Sequence, residues 1–469
     1  MRTLVFILCS MLALAAQAAE RPNIVFMLSD DQGWNGLSVA MHPDVPGSKG
    51  DIYHTPNLER FAAQAMRFSA GYAPAPVCSP TRVSLQTGKS PAQLHWTKAA
   101  PAEEGHKLLE PRLIKSIPAS EVTTGEILRD AGYATAHYGK WHIAGGGPGQ
   151  HGYDEHDGDT GNENAFQFTD PNPVDIFGMA DRAAKFMEKS SKAGKPFYIQ
   201  LSWNALHAPE NALKATMAKY QKELGSQNAK RTATAAMTED LDTGVGRVLD
   251  SIERLGLAKN TYVIYMADNG AGGGKKALRG GKGGVWEGGI RVPLIIRGPG
   301  VEPNSWCHVP AVGFDFFPTF CEWAGVPKSK LPPRIEGGSI AGLLTHGGQG
   351  EVHRERTGIV FHFPHYQGED GPQSAIIDGH LKLVKLYEDE RIELYDLSQD
   401  IAERNNLAGQ MPDQVKRLTK ELDQSLAQNK AQFPTPNPDY DPTKPAAPRK
   451  GGGGGGGKNK PGKPAKPKN

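Results

Sequence analysis

The sequence predicts an α/β protein: a large, mainly parallel sheet flanked by helices, followed by a smaller α+β subdomain built on an antiparallel sheet. Three observations carry this reading. Short, unbroken apolar runs recur at 23–29 (NIVFMLS), 197–202 (FYIQLS), 262–267 (YVIYMA) and 294–296, bounded by Gly, Pro or Asn, as parallel strands buried on both faces require. Helix-like stretches at 57–66, 124–131, 181–189 and 231–255 alternate with them, the last with apolar positions at helical spacing. From about Thr357 the pattern shifts to alternating strands joined by tight turns.

Taken in chain order, residues 1–19 read as a secretory signal peptide, with Arg2 before an apolar stretch and a small-residue end at Ala16-Gln17-Ala18. Export to a periplasmic or extracellular location follows. The main α/β domain is expected over 20–355. Residues 41–53 (MHPDVPGSKGDIY) form an insertion-like loop suited to a pocket rim. A fifth strand-like segment, 133–138, leads into Gly139-Lys140-Trp141-His142.

The C-terminal subdomain spans 356–432, with strands at 359–363, 374–378, 381–387 and 391–395 and a hairpin signal at Asp378-Gly379. A helix over 412–429 closes it, with Val415, Leu418, Leu422 and Leu426 on one face. Residues 433–469 are rich in Pro, Gly and Lys, include seven consecutive glycines, and cannot bury a core, so a free tail is expected.

Composition narrows the function. The 469 residues are 38% apolar and 22% charged, enough for a large core. The net charge of +2 hides an asymmetry: residues 442–469 carry eight Lys or Arg and no acid. Setting those and Arg2 aside leaves 44 basic against 51 acidic residues, a mildly acidic body that argues against nucleic-acid binding. No apolar run after residue 20 is long enough for a transmembrane segment. Four Cys rule out a disulfide framework; Cys307 and Cys321 either bridge a short loop or stay free.

Ligands of an open parallel sheet bind beyond the carboxyl ends of its strands. The first apolar run leads into Asp30-Asp31, the second into a segment ending at His207, the third into Asp268-Asn269-Gly270, and the 133–138 segment into Lys140 and His142. Singly, Asp30-Asp31 reads as a loop or cap and Asp268-Asn269-Gly270 as a turn. Together, three carboxylates and an amide at one edge call for a cation among them. All-oxygen ligation selects a hard divalent ion, Ca²⁺ or Mg²⁺. Lys140, His142, His207 and Lys282 add groups suited to holding a tetrahedral oxyanion ester and protonating its leaving group. The glycine-rich stretch around Lys282 lacks the spacing and final Ser/Thr of a P-loop.

One segment is more specific than the rest. Pro76-Val77-Cys78-Ser79-Pro80-Thr81-Arg82, followed by Ser84-Leu85-Gln86-Thr87-Gly88, resembles the Cys-x-Pro-x-Arg signature of formylglycine-dependent sulfatases. Ser29-Asp30-Asp31-Gln32-Gly33, Gly139-Lys140-Trp141-His142, His207, Asp268-Asn269-Gly270, Gly281-Lys282-Gly283 and Trp286-Glu287-Gly288-Gly289 follow the family's order over roughly residues 21–407. The resemblance implies that a formylglycine-generating maturation enzyme converts Cys78, whose hydrated aldehyde then supplies the nucleophile. It implies that Asp30, Asp31, Asp268, Asn269 and modified Cys78 hold one Ca²⁺. It further implies that Arg82 supports the aldehyde hydrate, Lys140 and Lys282 bind sulfate oxygens, His207 assists leaving-group protonation, and His142 helps expel sulfate.

The 361–366 segment (FHFPHY) resembles, more loosely, secreted bacterial sulfatases acting on sulfated polysaccharides. His362 and His365, read as lying after a strand, either hydrogen-bond sugar hydroxyls at the site mouth or pack in the core. His95, with Trp96, follows the motif helix and is a further candidate for the pocket lining. The leading reading is an exported sulfatase acting on a carbohydrate sulfate ester. A formylglycine-dependent phosphonate or phosphodiester hydrolase and a non-catalytic binder of sulfated glycans are the alternatives.

Overall fold

The computed structural model describes residues 21–225, 228–271, 277–368, 370–444 and 446. The proposed signal peptide and most of the Gly/Lys-rich tail lie outside these residues. Eight strands form the main sheet in the order Ser305–Cys307, Met66–Phe68, Leu294–Arg297, Thr261–Ala267, Asn23–Ser29, Phe197–Ser202, Ala134–Gly139, Glu155–His156. The central strand Asn23–Ser29 pairs in parallel with both neighbours, Val25 opposite Ile199 on one side and Val263 on the other.

The unbroken apolar runs follow from burial of both faces. Val25, Met27, Ile199 and Leu201 pack under helices Pro56–Ala62, Ile176–Lys192 and Ala229–Arg254, through Phe61, Phe186 and Leu241. Alternate residues Ile24, Phe26, Leu28 and Tyr198 meet Val83 of helix Cys78–Thr87 and Phe316 and Phe320 of helix Phe316–Trp323. Burying a side chain such as Phe26 contributes roughly 1.5–3 kcal/mol. The helix Thr124–Asp130 starts on a reciprocal cap: Thr123 Oγ1 accepts the Glu126 N–H, and Glu126 Oε2 accepts the Thr123 N–H at 2.8 Å.

Several expectations change. Leu294–Arg297 runs antiparallel to both its neighbours, so the sheet is mixed. The 57–66 helix ends at Ala62, because Met66–Phe68 extends to pair with Leu294–Arg297 and Ser305–Cys307. Cys78, Cys307 and Cys321 are all free and buried, the second of the two outcomes left open for Cys307 and Cys321. The tail does not leave the body at residue 433: Thr435–Pro436 pairs with Leu108–Leu109, and Asn437 Nδ2 donates to the His106 carbonyl at 2.8 Å.

The second sheet runs Ile359–Phe363, Gln373–Asp378, Leu381–Leu386, Ile392–Asp396 in sequence order, every pair antiparallel. Helix Pro412–Gln428 covers one face, Leu418, Leu422 and Leu426 packing on Ile376, Leu383 and Leu394. The opposite face packs on the catalytic part itself: Phe361, Ala375 and Ile377 join Tyr72, Val285, Trp286 and Ile290. Among the described residues, no helix is long and apolar enough to cross a membrane.

Candidate active site

The register of the central strands decides where the polar residues emerge. Ser29 lies opposite Ala267, Leu28 opposite Ser202, and Ser202 opposite Gly139. Asp30, Trp203, Asp268 and Lys140 therefore leave the sheet at one edge. The Asp30 N–H donates to the Ala205 carbonyl at 2.8 Å and the Leu206 N–H to the Asp30 carbonyl at 2.6 Å, which ties the loop carrying His207 to that edge. Asp31 and His142 sit there in left-handed backbone, at φ 57° and 59°, a conformation that costs free energy and that packing must hold.

Helix Cys78–Thr87 brings the motif to the same edge. Its first residue, Cys78, is 3% exposed, and every residue of the helix is buried. Gly88 ends it in left-handed backbone at φ 68°, its N–H bonded to the Ser84 carbonyl at 2.9 Å. Arg82, one turn after Cys78, donates through Nε and Nη2 to Asp268 Oδ2 at 3.1 and 2.7 Å and through Nη1 to the Lys140 carbonyl at 2.6 Å. One ligand atom from each of Asp30, Cys78 and Asp268 lies within 4.8 Å of the others.

Three carboxylates face three fixed cations. Lys140 pairs with Asp30, Arg82 with Asp268 and, at 3.7 Å, with Asp30, and Lys282 with both oxygens of Asp31 at 2.6 and 2.8 Å. Burial alone would raise the Asp30 carboxyl, but the charges of Lys140, His207, Arg82 and Lys282 outweigh it and hold this group well below the usual range. Burial and the charge of Asp30 push Asp268 the other way, well above the usual range. His142 is lowered to about 3, first by burial and then by Lys140 and Arg82, so its imidazole is neutral near pH 7.

These residues fit a hard divalent cation. Asp30 Oδ1 and Asn269 Oδ1 are buried and have no hydrogen-bond partner, although such atoms are nearly always paired in folded proteins. Asn269 spends its Nδ2 on Asp31 Oδ1 at 2.8 Å and on the Gly270 carbonyl at 3.0 Å, which leaves its oxygen for another ligand. The Asp31 N–H donates to Asp268 Oδ1 at 3.2 Å, so the acidic residues are held together across 237 positions of sequence.

The remaining site expectations divide. His207 is half-buried, with Nδ1 against the Ala208 carbonyl at 3.0 Å, and lies near enough to act electrostatically on Asp30. His95, in left-handed backbone at φ 53°, has a buried Nε2 without a partner. His362 and His365 do not have rings free for a sugar. His362, inside strand Ile359–Phe363, contacts Ser374 Oγ at 2.6 Å and the Gln432 carbonyl at 2.9 Å. His365, fully buried, contacts Glu110 Oε2 and Thr97 Oγ1, each at 2.7 Å. Both therefore pack in the interior, the other of the two outcomes open to them.

Sequence reasoning passed over Lys98, Glu110, Lys382 and Glu403, all buried and charged. Lys382 left one signal, a lysine inside the apolar run LKLVKL. Glu403 left none.

The family model described as "Sulfatase" matches residues 22–326, and the one described as "N-sulphoglucosamine sulphohydrolase, C-terminal" matches residues 281–432. A "Sulfatase" of Formosa agariphila is 30% identical, the match covering 85% of this chain and 86% of that protein. The N-acetylgalactosamine-6-sulfatase of Rattus norvegicus is 31% identical over 67% of this chain and 64% of its own length. A solved structure described as BT4656 in complex with its substrate D-glucosamine-2-N,6-O-disulfate superposes with a TM-score of 0.67 at 21% identity, covering 90% of this chain and 100% of that one.

The fold and its edge of paired acids and cations are those of a hydrolase of anionic esters. The chain belongs to the sulfatase family and is a sulfuric ester hydrolase.

Proposed function

We propose that this sulfatase acts on a sulfate ester carried by a carbohydrate, a sulfated polysaccharide or oligosaccharide, and releases inorganic sulfate. The observation that carries the reading is the buried meeting of Cys78, Asp30 and Asp268 beside Arg82, Lys140 and Lys282. Relatives that act on N-acetylgalactosamine 6-sulfate by name, and a fold neighbour with a sulfated glucosamine bound, support the carbohydrate class.

Asp30, Asp31, Asp268, Asn269 and modified residue 78 would hold one Ca²⁺, with Mg²⁺ the smaller alternative. Bound there, the ion supplies positive charge against sulfate oxygens, and a formylglycine hydrate at residue 78 supplies the attacking oxygen. A thiolate is a soft ligand and Ca²⁺ a hard ion, so conversion of Cys78 and calcium binding support each other. The three fixed cations balance the three carboxylates, so a further divalent charge leaves the site positive, as an anionic ester requires.

The chain's own residues do the rest. Arg82, bonded three times to the scaffold, stands rigidly beside residue 78. Lys140 and Lys282 bind sulfate oxygens. His207 directs one ring nitrogen at the Ala208 carbonyl and keeps the other for the leaving oxygen, which departs protonated. Neutral His142, with its Nδ1 unpartnered, is able to take up a proton as sulfate is expelled. Because Cys78 is 3% exposed, its conversion suits a maturation enzyme acting before folding is complete. Export of the chain is proposed from residues 1–19 alone.

The test is sulfate release from sulfated galactans, glycosaminoglycan saccharides and, as a control ester, a phosphodiester, beside Cys78→Ala. Release from one sugar class, absent in the variant, is expected. Turnover of the phosphodiester alone would overturn the reading in favour of a phosphodiesterase, and glycan binding without turnover in favour of a non-catalytic binder.

A further inference from the structure

A second buried set of charges joins the antiparallel subdomain to the catalytic part. Lys382, in strand Leu381–Leu386 and fully buried, reaches Glu287 Oε1 at 2.8 Å and Glu403 Oε1 at 2.7 Å. Glu403, 2% exposed, accepts the Glu287 backbone N–H on its other oxygen at 2.7 Å, at the start of the helical turn Glu287–Ile290. The second oxygen of Glu287 takes the Arg291 guanidinium and the Tyr72 hydroxyl, the latter at 3.1 Å.

A buried ion cluster is weak evidence for stability. Removing two carboxylates and an ammonium from water costs several kcal/mol per ion, and replacing such a group by apolar residues of similar volume is often neutral or stabilising. The segment these charges hold is more informative. Residues 279–291 carry Lys282. The Gly270 N–H, next after Asn269, donates to the Gly289 carbonyl at 2.9 Å. The Gly283 N–H donates to the carbonyl of Pro76, two residues before Cys78, at 2.9 Å, and the Ala73 N–H to that of Ile290 at 2.8 Å. The fit is tight: a Cβ on Gly270 would stand 2.0 Å from the Gly288 carbonyl oxygen, and one on Gly289 the same distance from that of Gly284.

We propose that Lys382 and Glu403 are positioning residues for sulfate-ester hydrolysis: by capping and pairing Glu287 they set segment 279–291, and with it Lys282. The antiparallel subdomain thus acts on the catalytic centre from outside it. The proposal rests on Lys282 as a sulfate-oxygen ligand.

The test uses the full-length enzyme with confirmed conversion of Cys78, a chromogenic aryl sulfate as substrate, and kcat, KM and Tm for each variant. Glu403→Ala removes the acceptor of the Glu287 N–H, and kcat/KM falls roughly ten- to a hundredfold, as for other residues that orient a ligand from behind. In a Lys282→Ala background the same change costs less than about twofold, because the group it positions is gone. Glu403→Gln keeps an acceptor oxygen and stays within about threefold of wild type. Equal losses in both backgrounds, or a lowered Tm with unchanged kcat/KM, would overturn the proposal and leave the Lys282 assignment standing. Unchanged kcat/KM in Lys282→Ala alone would sink that assignment and this proposal with it. Should Glu403→Ala fail to fold, Glu403→Asp, too short to serve both partners, must show the same non-additivity.

Discussion

Two buried charge clusters of this molecule differ in how completely their atoms are paired. In the first, Lys98 Nζ donates to both oxygens of Glu110, at 2.8 and 3.1 Å, and to the Tyr366 carbonyl at 3.0 Å. Glu110 also accepts the N–H groups of Glu103 and Tyr366 and meets His365, whose other nitrogen meets Thr97. In the second, at the edge of the main sheet, Asp30, Asp268, Arg82 and Lys140 are as deeply buried, yet Asp30 Oδ1 and Asn269 Oδ1 have no partner. A saturated cluster fastens the 95–116 loop to the loop after Ile359–Phe363. The edge cluster also brings ligand atoms of Asp30, Cys78 and Asp268 within 4.8 Å of one another. Buried charge alone therefore does not mark a site; here unpaired oxygens coincide with converging ligand atoms.

The largest effect separating the two clusters is catalytic. Cys78→Ala should lower sulfatase activity by on the order of 10⁶-fold, as loss of a nucleophile does, with its thermal transition within a few degrees of wild type, and Asp30→Asn should lower kcat of the folded enzyme by on the order of 10³-fold. Comparable activity in Asp30→Asn would make the edge cluster a fastener like the other. Next, Glu110→Ala leaves Lys98 buried without its partner and should cost about 3–5 kcal/mol of stability in denaturant titration, with kcat of the folded enzyme changed by less than about threefold.

Calcium should then discriminate between them. At a hundredfold excess over its dissociation constant, Ca²⁺ stabilises a protein that binds it only when folded by about 2.7 kcal/mol. Chelation of the wild type and of Glu110→Gln should reverse such a gain, whereas Asp30→Asn should show none in a calcium titration of Tm.

The effect confined to the narrowest range of conditions is on acid stability. Burial lowers the His362 imidazole to about 4 against an ordinary 6.5. Between those values the unfolded chain binds a proton that the native one refuses, so stability falls as pH drops from 6.5 towards 4, by up to about 1.4 kcal/mol per pH unit. His362→Gln should remove that part of the slope in unfolding measured across the window. An unchanged slope would mean that His362 already carries its proton in the fold.

Much of this was legible in the residues, for a physical reason. In a parallel sheet buried on both faces the apolar runs stand out against everything around them, and the groups that bind ligands come directly after them. Asp30, Lys140 and Asp268 were found that way, and the Cys78–Arg82 motif specified the rest of the edge. Direction was less legible. Leu294–Arg297 is a four-residue apolar run, and such a run reads the same whichever way it points; only its hydrogen bonds to Met66–Phe68 and Thr261–Ala267 show it reversed. Histidines stayed ambiguous for a related reason, since an imidazole after a strand has the same appearance whether it faces a pocket or, as at His365, a buried glutamate 255 residues away.

Local chemistry, then, settled the class of fold, the strand ends and the Cys78–Arg82 motif, because each depends on residues adjacent in the chain. Tertiary structure alone decided which charges are satisfied and which are left for a ligand. Lys382 meets Glu287 across 95 positions and Arg82 meets Asp268 across 186. Electrostatic pairing depends on distance in space, and the strand order that sets those distances is a property of the packed sheet.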